Sequence, residues 1–187
     1  MAFSRQEEFL ATGRRNQKQR TREAILDSAT RLARAGQTPS ITEVAKDAKV
    51  STATAYRYFP NPESLWADVG VRYGPAVKEV AADLPEDAED RIDVMIRTLM
   101  EGQFADEAVW RAVVRASIDR WFQQVDVPED ERLPVRGPNR LEGTRAALAP
   151  LERELPPELF ERLTMAVVLV WGADALIVTR DSCGLEP

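Results

Sequence analysis

Ser40-Ile-Thr-Glu43-Val-Ala-Lys-Asp-Ala-Lys-Val-Ser51-Thr-Ala-Thr-Ala-Tyr-Arg-Tyr-Phe59 reads as two short helices joined by a tight turn, each opened by its own cap. Ser40 and Glu43 have the S-x-x-E spacing of a capping box, in which hydroxyl and carboxylate each satisfy an amide that the helix start leaves unpaired. Ser51 is placed to cap the second helix in the same way. Val44, Ala45 and Ala48 share one face of the first helix. In the second, Ala55 and Phe59 lie four apart on an inner side. Thr52, Ala53, Tyr56 and Arg57 are left on the opposite side, small enough to approach base edges and polar enough to bond them. A helix with such residues early, held by another across it, is the pattern of a helix-turn-helix DNA reader.

Upstream, Thr21 to Gly36 completes a three-helix unit. Ile25, Ala29, Leu32 and Ala33 recur at the spacing of one buried helical face, and Gly36 followed by Pro39 supplies the stop. Before it, residues 1–16 show little periodicity and are expected as a flexible tail. Arg14, Arg15 and Lys18 then form a basic approach to the first helix, suited to phosphates or a minor groove. Downstream, Asn61-Pro62-Glu63 opens a fourth helix with a cap, a proline in the first turn and an acid. Leu65, Val69 and Tyr73 set its inner stripe, and Gly74-Pro75 is expected to end or kink it.

Charge is unevenly spread. Net charge is −6, which alone argues against a nucleic-acid binder. Yet residues 1–60 hold 11 Lys/Arg against 6 Asp/Glu, and residues 61–187 hold 14 against 25. A basic head on an acidic body suits a protein that docks on phosphates with one end only. There is no His, which removes the usual hydrolytic triads and the commonest transition-metal ligand. Cys183 stands alone, so an intrachain disulfide and a cysteine zinc site are both excluded. No Gly-rich phosphate loop occurs. Neither an enzyme, a cofactor nor a metal is expected. The apolar run Met165–Val178 is interrupted by Gly172 and Asp174 and is too short to span a bilayer. The expectation is a cytoplasmic protein with no membrane partner.

The rest of the chain reads as helices. Ile92, Met95, Ile96 and Leu99 mark the fifth, and Asp106 is placed to cap a sixth. A loop is expected over 125–138, a seventh helix over about 140–151, and one long last helix from Pro156-Pro157 to about Arg180. The fold class expected is all-α. A helix-turn-helix domain spans 17–60 and a helical regulatory and dimerisation domain spans 61–187.

Thr21, Ile25, Ala29, Leu32 and Gly36, then Ser40, Val44-Ala45 and Ala48-Lys49-Val50-Ser51, then Thr54 to Phe59 and Leu65, resemble the TetR (tetracycline-repressor) family of bacterial transcriptional regulators. The resemblance is specific from about Thr21 to Leu65. It implies a repressor that binds a palindromic double-stranded DNA operator as a homodimer, associates with the bacterial nucleoid when bound, and is released by a small-molecule effector. Alternatives are a helix-turn-helix regulator without such a ligand, and a helical protein-interaction module. Thr52, Ala53 and Tyr56 are candidates for base contact. Thr21, Ser40, Thr54 and Tyr58 are candidates for phosphate positioning, and Arg57 for either. The resemblance places a ligand cavity near Met95, Leu99, Met100, Phe104, Trp110, Val114 and Trp121, residues that ordinary core packing also explains. It implies a four-helix dimer interface from the last two helices, drawing on Leu148, Phe160, Leu163, Val167, Val170, Trp171, Asp174 and Val178. The same residues would serve a central helix buried in a monomer. Asp174 needs a partner, an Arg or a capping amide, wherever it is buried. Three positions depart from the family pattern: Lys49 and Ala53 replace frequent glycines, and Pro62 replaces a phosphate-contacting Lys.

Overall fold

The computed structural model describes residues 2–73 and 77–186. Gly74-Pro75 and the Tyr73 side chain lie outside the described residues, so the expected kink does as well. Among the described residues the secondary structure is helical throughout, with no strand. The chain divides into two compact units, Met1–Val69 and Gly70–Pro187, and the boundary falls inside a helix rather than at residue 60.

The first unit holds α1 (Ala2–Arg34), α2 (Ile41–Asp47), α3 (Thr52–Tyr58) and most of α4 (Pro62–Tyr73). Its core joins Ile25, Leu26, Ala29 and Ala33 of α1 to Ile41, Val44 and Ala45 of α2. Ala55 and Phe59, with Leu65 and Val69 of α4, complete it. Leu32 is only half-buried, and Leu26 takes the place expected of it. α4 starts as its sequence predicts, with Asn61 Oδ1 accepting from the Ser64 amide at 2.8 Å. The helical start is earlier than expected: α1 begins at Ala2, so residues expected as a tail continue the first helix. That segment shows little apolar periodicity, but Ala2, Arg5, Gln6, Glu7, Glu8, Leu10, Ala11, Arg14 and Arg15 are good helix formers, and it contains no proline.

The second unit holds α5 (Val77–Ala82), α6 (Ala88–Ala105), α7 (Glu107–Gln123), α8 (Asn139–Leu148), α9 (Pro157–Leu169) and α10 (Ala173–Asp181). Asp87 caps α6, its carboxylate accepting from the Glu89 amide at 2.8 Å. Asp106 stands at the N-cap of α7, but its side chain makes no cap hydrogen bond. Met95, Leu99, Ala147 and Trp171 form a buried cluster, flanked by Val77, Val80, Met100 and Val167 among others. Close approach makes this packing possible: a Cβ on Gly143 of α8 would stand 3.1 Å from Val77 and 3.4 Å from the Met95 sulfur. α8 ends at Leu148 and a 3₁₀ turn follows over Ala149–Arg153, because Pro150 has no amide to continue the ladder.

The last helix is not continuous. It breaks at Val170–Gly172, and α9 and α10 meet at a bend of 53°. Gly172 sits at φ 94°, ψ −178°, a region essentially restricted to glycine. The carbonyl of Trp171, released by the break, accepts from Arg140 Nη1 at 3.0 Å, and the Gly172 amide points at the Met100 sulfur, 3.1 Å away. No single helix among the described residues is long and apolar enough to cross a membrane.

Gly172→Ala tests this break. Its Cβ would stand 2.9 Å from Arg140 Nη1 on a backbone alanine disfavours. The variant is expected to lose roughly 1–3 kcal/mol, read as a lower urea midpoint with an unchanged denaturant slope.

Candidate nucleic-acid interface

The two helices of the opening motif are fixed at both ends. At α2, the Glu43 amide donates to Ser40 Oγ (3.2 Å), while the Ser40 amide and hydroxyl both donate to Glu43 Oε2 (2.8 Å each). The capping box is therefore complete. These bonds hold the Glu43 carboxyl below its ordinary pKa, the backbone bond being the largest cause. At α3, Ser51 Oγ accepts from the Thr54 amide (3.1 Å) and donates to Thr54 Oγ1 (2.8 Å).

Between them α2 closes with paired reverse bonds. The Val50 amide reaches back to Ala45 O (3.0 Å) and the Lys49 amide to Lys46 O (3.2 Å), the two bonds of a Schellman motif. The residue between must be left-handed, and Lys49 has φ 57°. α1 ends by the same device, Gln37 to Leu32 and Gly36 to Ala33, but there the left-handed residue is Gly36, at φ 74°.

With both helices held, α3 buries Ala55 and turns Thr52, Ala53, Tyr56 and Arg57 to solvent. Thr54 and Tyr58 are half-buried beside them, and the Arg57 guanidinium lies 5.7 Å from the Tyr58 ring centre. Since the Thr54 hydroxyl accepts from Ser51, its own proton is left for another acceptor. Ser40 and Thr21 differ. Their hydroxyl protons are already committed, Ser40 to Glu43 and Thr21 to Gln17 O at 3.0 Å. Any phosphate contact at Ser40 would then fall to the backbone rather than to the hydroxyl.

The basic side chains of this unit divide into two groups. Arg22 pairs with Asp68 and lies 5.9 Å over Phe59, and Arg31 pairs with Asp47. These two hold helices together. Arg15, Lys18, Arg20, Lys46 and Lys49 stand exposed. The Arg14 side chain lies outside the described ones. Arg15 and Lys18 project from a helix, α1, rather than from an extended arm.

The second unit places the other candidates apart from one another. Met95 and Leu99 are buried in the cluster with Trp171, and Met100 packs against it. Val114 is buried, Phe104 and Trp110 are half-buried, and Trp121 is 47% exposed, edge-on to Phe122. Trp121 therefore lines no interior space. Gln103, which the apolar reading passes over, is buried on the same stripe as Met95 and Leu99. Its Oε1 and Trp110 Nε1 are enclosed without a hydrogen-bond partner.

Among the dimer candidates, Leu148, Phe160 and Trp171 are buried within their own unit, with Trp171 Nε1 donating to Thr144 Oγ1 at 3.1 Å. Leu163 and Val167 are half-buried; Val170 and Val178 are exposed. Asp174 has its partners within the chain, Arg136 and Arg140. Burial raises its pKa, and the two guanidiniums outweigh that, leaving it below the ordinary range. Outside that set, the exposed large apolar residues of α9 are Leu159, Met165 and Leu169, and Val170 follows Leu169 at the end of the helix.

Asp47 offers a pH test of the head. The Ser28 hydroxyl (2.6 Å) and then Arg31 lower its pKa. A lowered folded-state value stabilises above the ordinary carboxyl range and is lost as pH falls through the lowered value. In Ser28→Ala the Asp47 midpoint is expected to rise toward 3.8, measured by carboxyl NMR titration. Stability should also depend less steeply on acid in the variant than in the parent.

No family model and no curated protein sequence matches the chain. Among solved structures it is similar to a HlyIIR mutant protein in which a segment is substituted by a linker containing two thrombin sites. The two are 21% identical, with 81% of this chain and 84% of that one covered, at a TM-score of 0.43. At that identity and score the likeness decides nothing about function. The observed architecture, a helix-turn-helix head followed by a larger all-helical unit, is the one the TetR-like motifs predict.

Proposed function

We propose that the chain is a DNA-binding transcriptional regulator of TetR-like type, acting as a homodimer on a palindromic operator and released by a small molecule. The observation that carries the DNA-binding reading is α3: capped by Ser51, anchored by Ala55 and Phe59, and offering Thr52, Ala53, Tyr56 and Arg57 outward. Exposed Arg15 and Lys18 on the same unit supply phosphate attraction. Two such heads related by a two-fold axis would read half-sites about one helical turn apart, or a multiple of it.

The dimer reading draws support from α9. Leu169 is 76% exposed and Val170 69%, an apolar face that a second copy would cover. The effector reading draws support from the buried Gln103 Oε1 and Trp110 Nε1, polar atoms of this unit that no protein group satisfies. Effector binding shifts the DNA-competent population only by its differential affinity for the two conformers.

Selection of duplexes from a randomised pool, at near-physiological salt, tests the central reading. An inverted repeat is expected; enrichment of no sequence would reduce the protein to non-specific attraction or to an interaction module. On the selected duplex, Tyr56→Ala and Arg57→Ala should each weaken binding by about 1–3 kcal/mol, with sequence preference relaxed where a base contact is lost. Leu169→Glu should shift sedimentation toward monomer and lower operator affinity, while leaving the helical circular dichroism intact.

A further inference from the structure

We infer that Lys49 is a phosphate contact, carried on the turn between α2 and α3 at the expense of backbone comfort. The inference rests on the DNA-binding reading above and adds to it a residue that the outward face of α3 does not include.

The argument starts from a comparison inside one unit. α1 and α2 end by the same pair of reverse hydrogen bonds, and each requires a left-handed residue at the same place. At the end of α1 that residue is Gly36, for which the conformation carries no steric penalty. At the end of α2 it is Lys49, the one non-glycine residue with positive φ among those described. A residue with a Cβ is disfavoured there, and the long-chain residues that do occur there are fewer than Gly, Asn or Asp. Packing gives no reason for the exception, because Lys49 is exposed.

Pairing within the fold gives little more. Lys49 adds a minor attraction to Asp47, which already has Ser28 and Arg31 as its principal partners. Arg22 and Arg31 make ion pairs that join helices, but the Lys49 ammonium makes none among the described residues. A cation near the last carbonyls of α2 is favourable, but Lys46 already supplies one in that turn. What remains is position. Lys49 lies three residues before Thr52, so its Cα is within about 11 Å of the first residue of α3. A flexible four-carbon stem ending in a point charge, at the entrance of the reading helix, suits a phosphate of the strand that α3 would approach.

The test uses the full chain and duplex DNA, with affinity measured across a salt series. Lys49→Gly and Lys49→Asn both suit the left-handed turn and both remove the charge. Expected is a several-fold loss of affinity at moderate salt, and a log–log salt slope shallower by about 0.9 per bound copy. The thermal midpoint of Lys49→Gly should at the same time be equal to or above that of the parent. Lys49→Arg should keep affinity and slope. Lys46→Gln, the same charge change one turn earlier, should alter the slope less.

Unchanged affinity and slope in both Lys49 variants would overturn the contact while leaving the DNA-binding reading standing. An equal effect from Lys46→Gln would overturn it too, reducing Lys49 to part of a general field. So would a lower midpoint in Lys49→Gly, since the loss would then come through the fold. A parent chain that binds no duplex at all would remove both readings together.

Discussion

The turn between α2 and α3 is the constraint on which the head depends. Three residues, Ala48 to Val50, must end one helix and deliver the chain to the cap of the next. The reach of the Val50 amide back to Ala45 fixes the exit, and Ser51 fixes the entry. Between these bonds the phase of α3 is determined. Each residue of helix turns the side chain by 100°, so a slip of one position would take Ala55 out of the core and bring Tyr56 or Thr54 into it. The fully buried Ala55 and Phe59 record that the phase is held. The outward set on α3 is thus a product of local hydrogen bonds more than of any property of the outward residues themselves.

The second unit is held differently, by arginines that reach across sequence. Arg91 donates to the carbonyls of Pro85, Ala146 and Ala147. Arg111 joins Glu107 to Asp181, and Arg180 returns to Glu107, so α7 and α10 are tied at one end. Arg136 and Arg140 converge on Asp174 and tie the start of α10. Guanidinium groups suit this work because their several donors answer helix-end carbonyls and carboxylates at once. With no histidine in the chain, none of these ties contains the side chain that ordinarily changes charge near neutrality. Their response to pH lies in the carboxylates, in acid.

The parts of this architecture that were legible in sequence are the local ones. The Ser40–Glu43 box, the Asn61 cap and the inner positions Val44, Ala55 and Phe59 each follow from spacing within a few residues. What sequence reading missed depends on distant partners or on signals that compete. α1 runs on to Ala2 through residues of good helix propensity whose apolar positions show little periodicity. Asp174 calls for a partner, an Arg or a capping amide, but nothing near it in sequence identifies Arg136 and Arg140, more than thirty residues away. Trp121, in an apolar pattern that reads as interior, is 47% exposed. Gln103 was passed over since a polar residue on a buried stripe contradicts the pattern used to find the stripe.

Gly172 divides one apolar stretch into two segments with independent phase. In an unbroken helix, the faces of residues 159–181 would be locked together by their fixed angular step. Here Val170 is 69% exposed while its neighbour Trp171 is 3% exposed, and Leu176 beyond the break is fully buried. The outer surface of α9 can therefore drift in evolution without re-registering the packing of α10 against α6 and α7. A single residue without a side chain uncouples what this protein shows to others from what it must keep to remain folded.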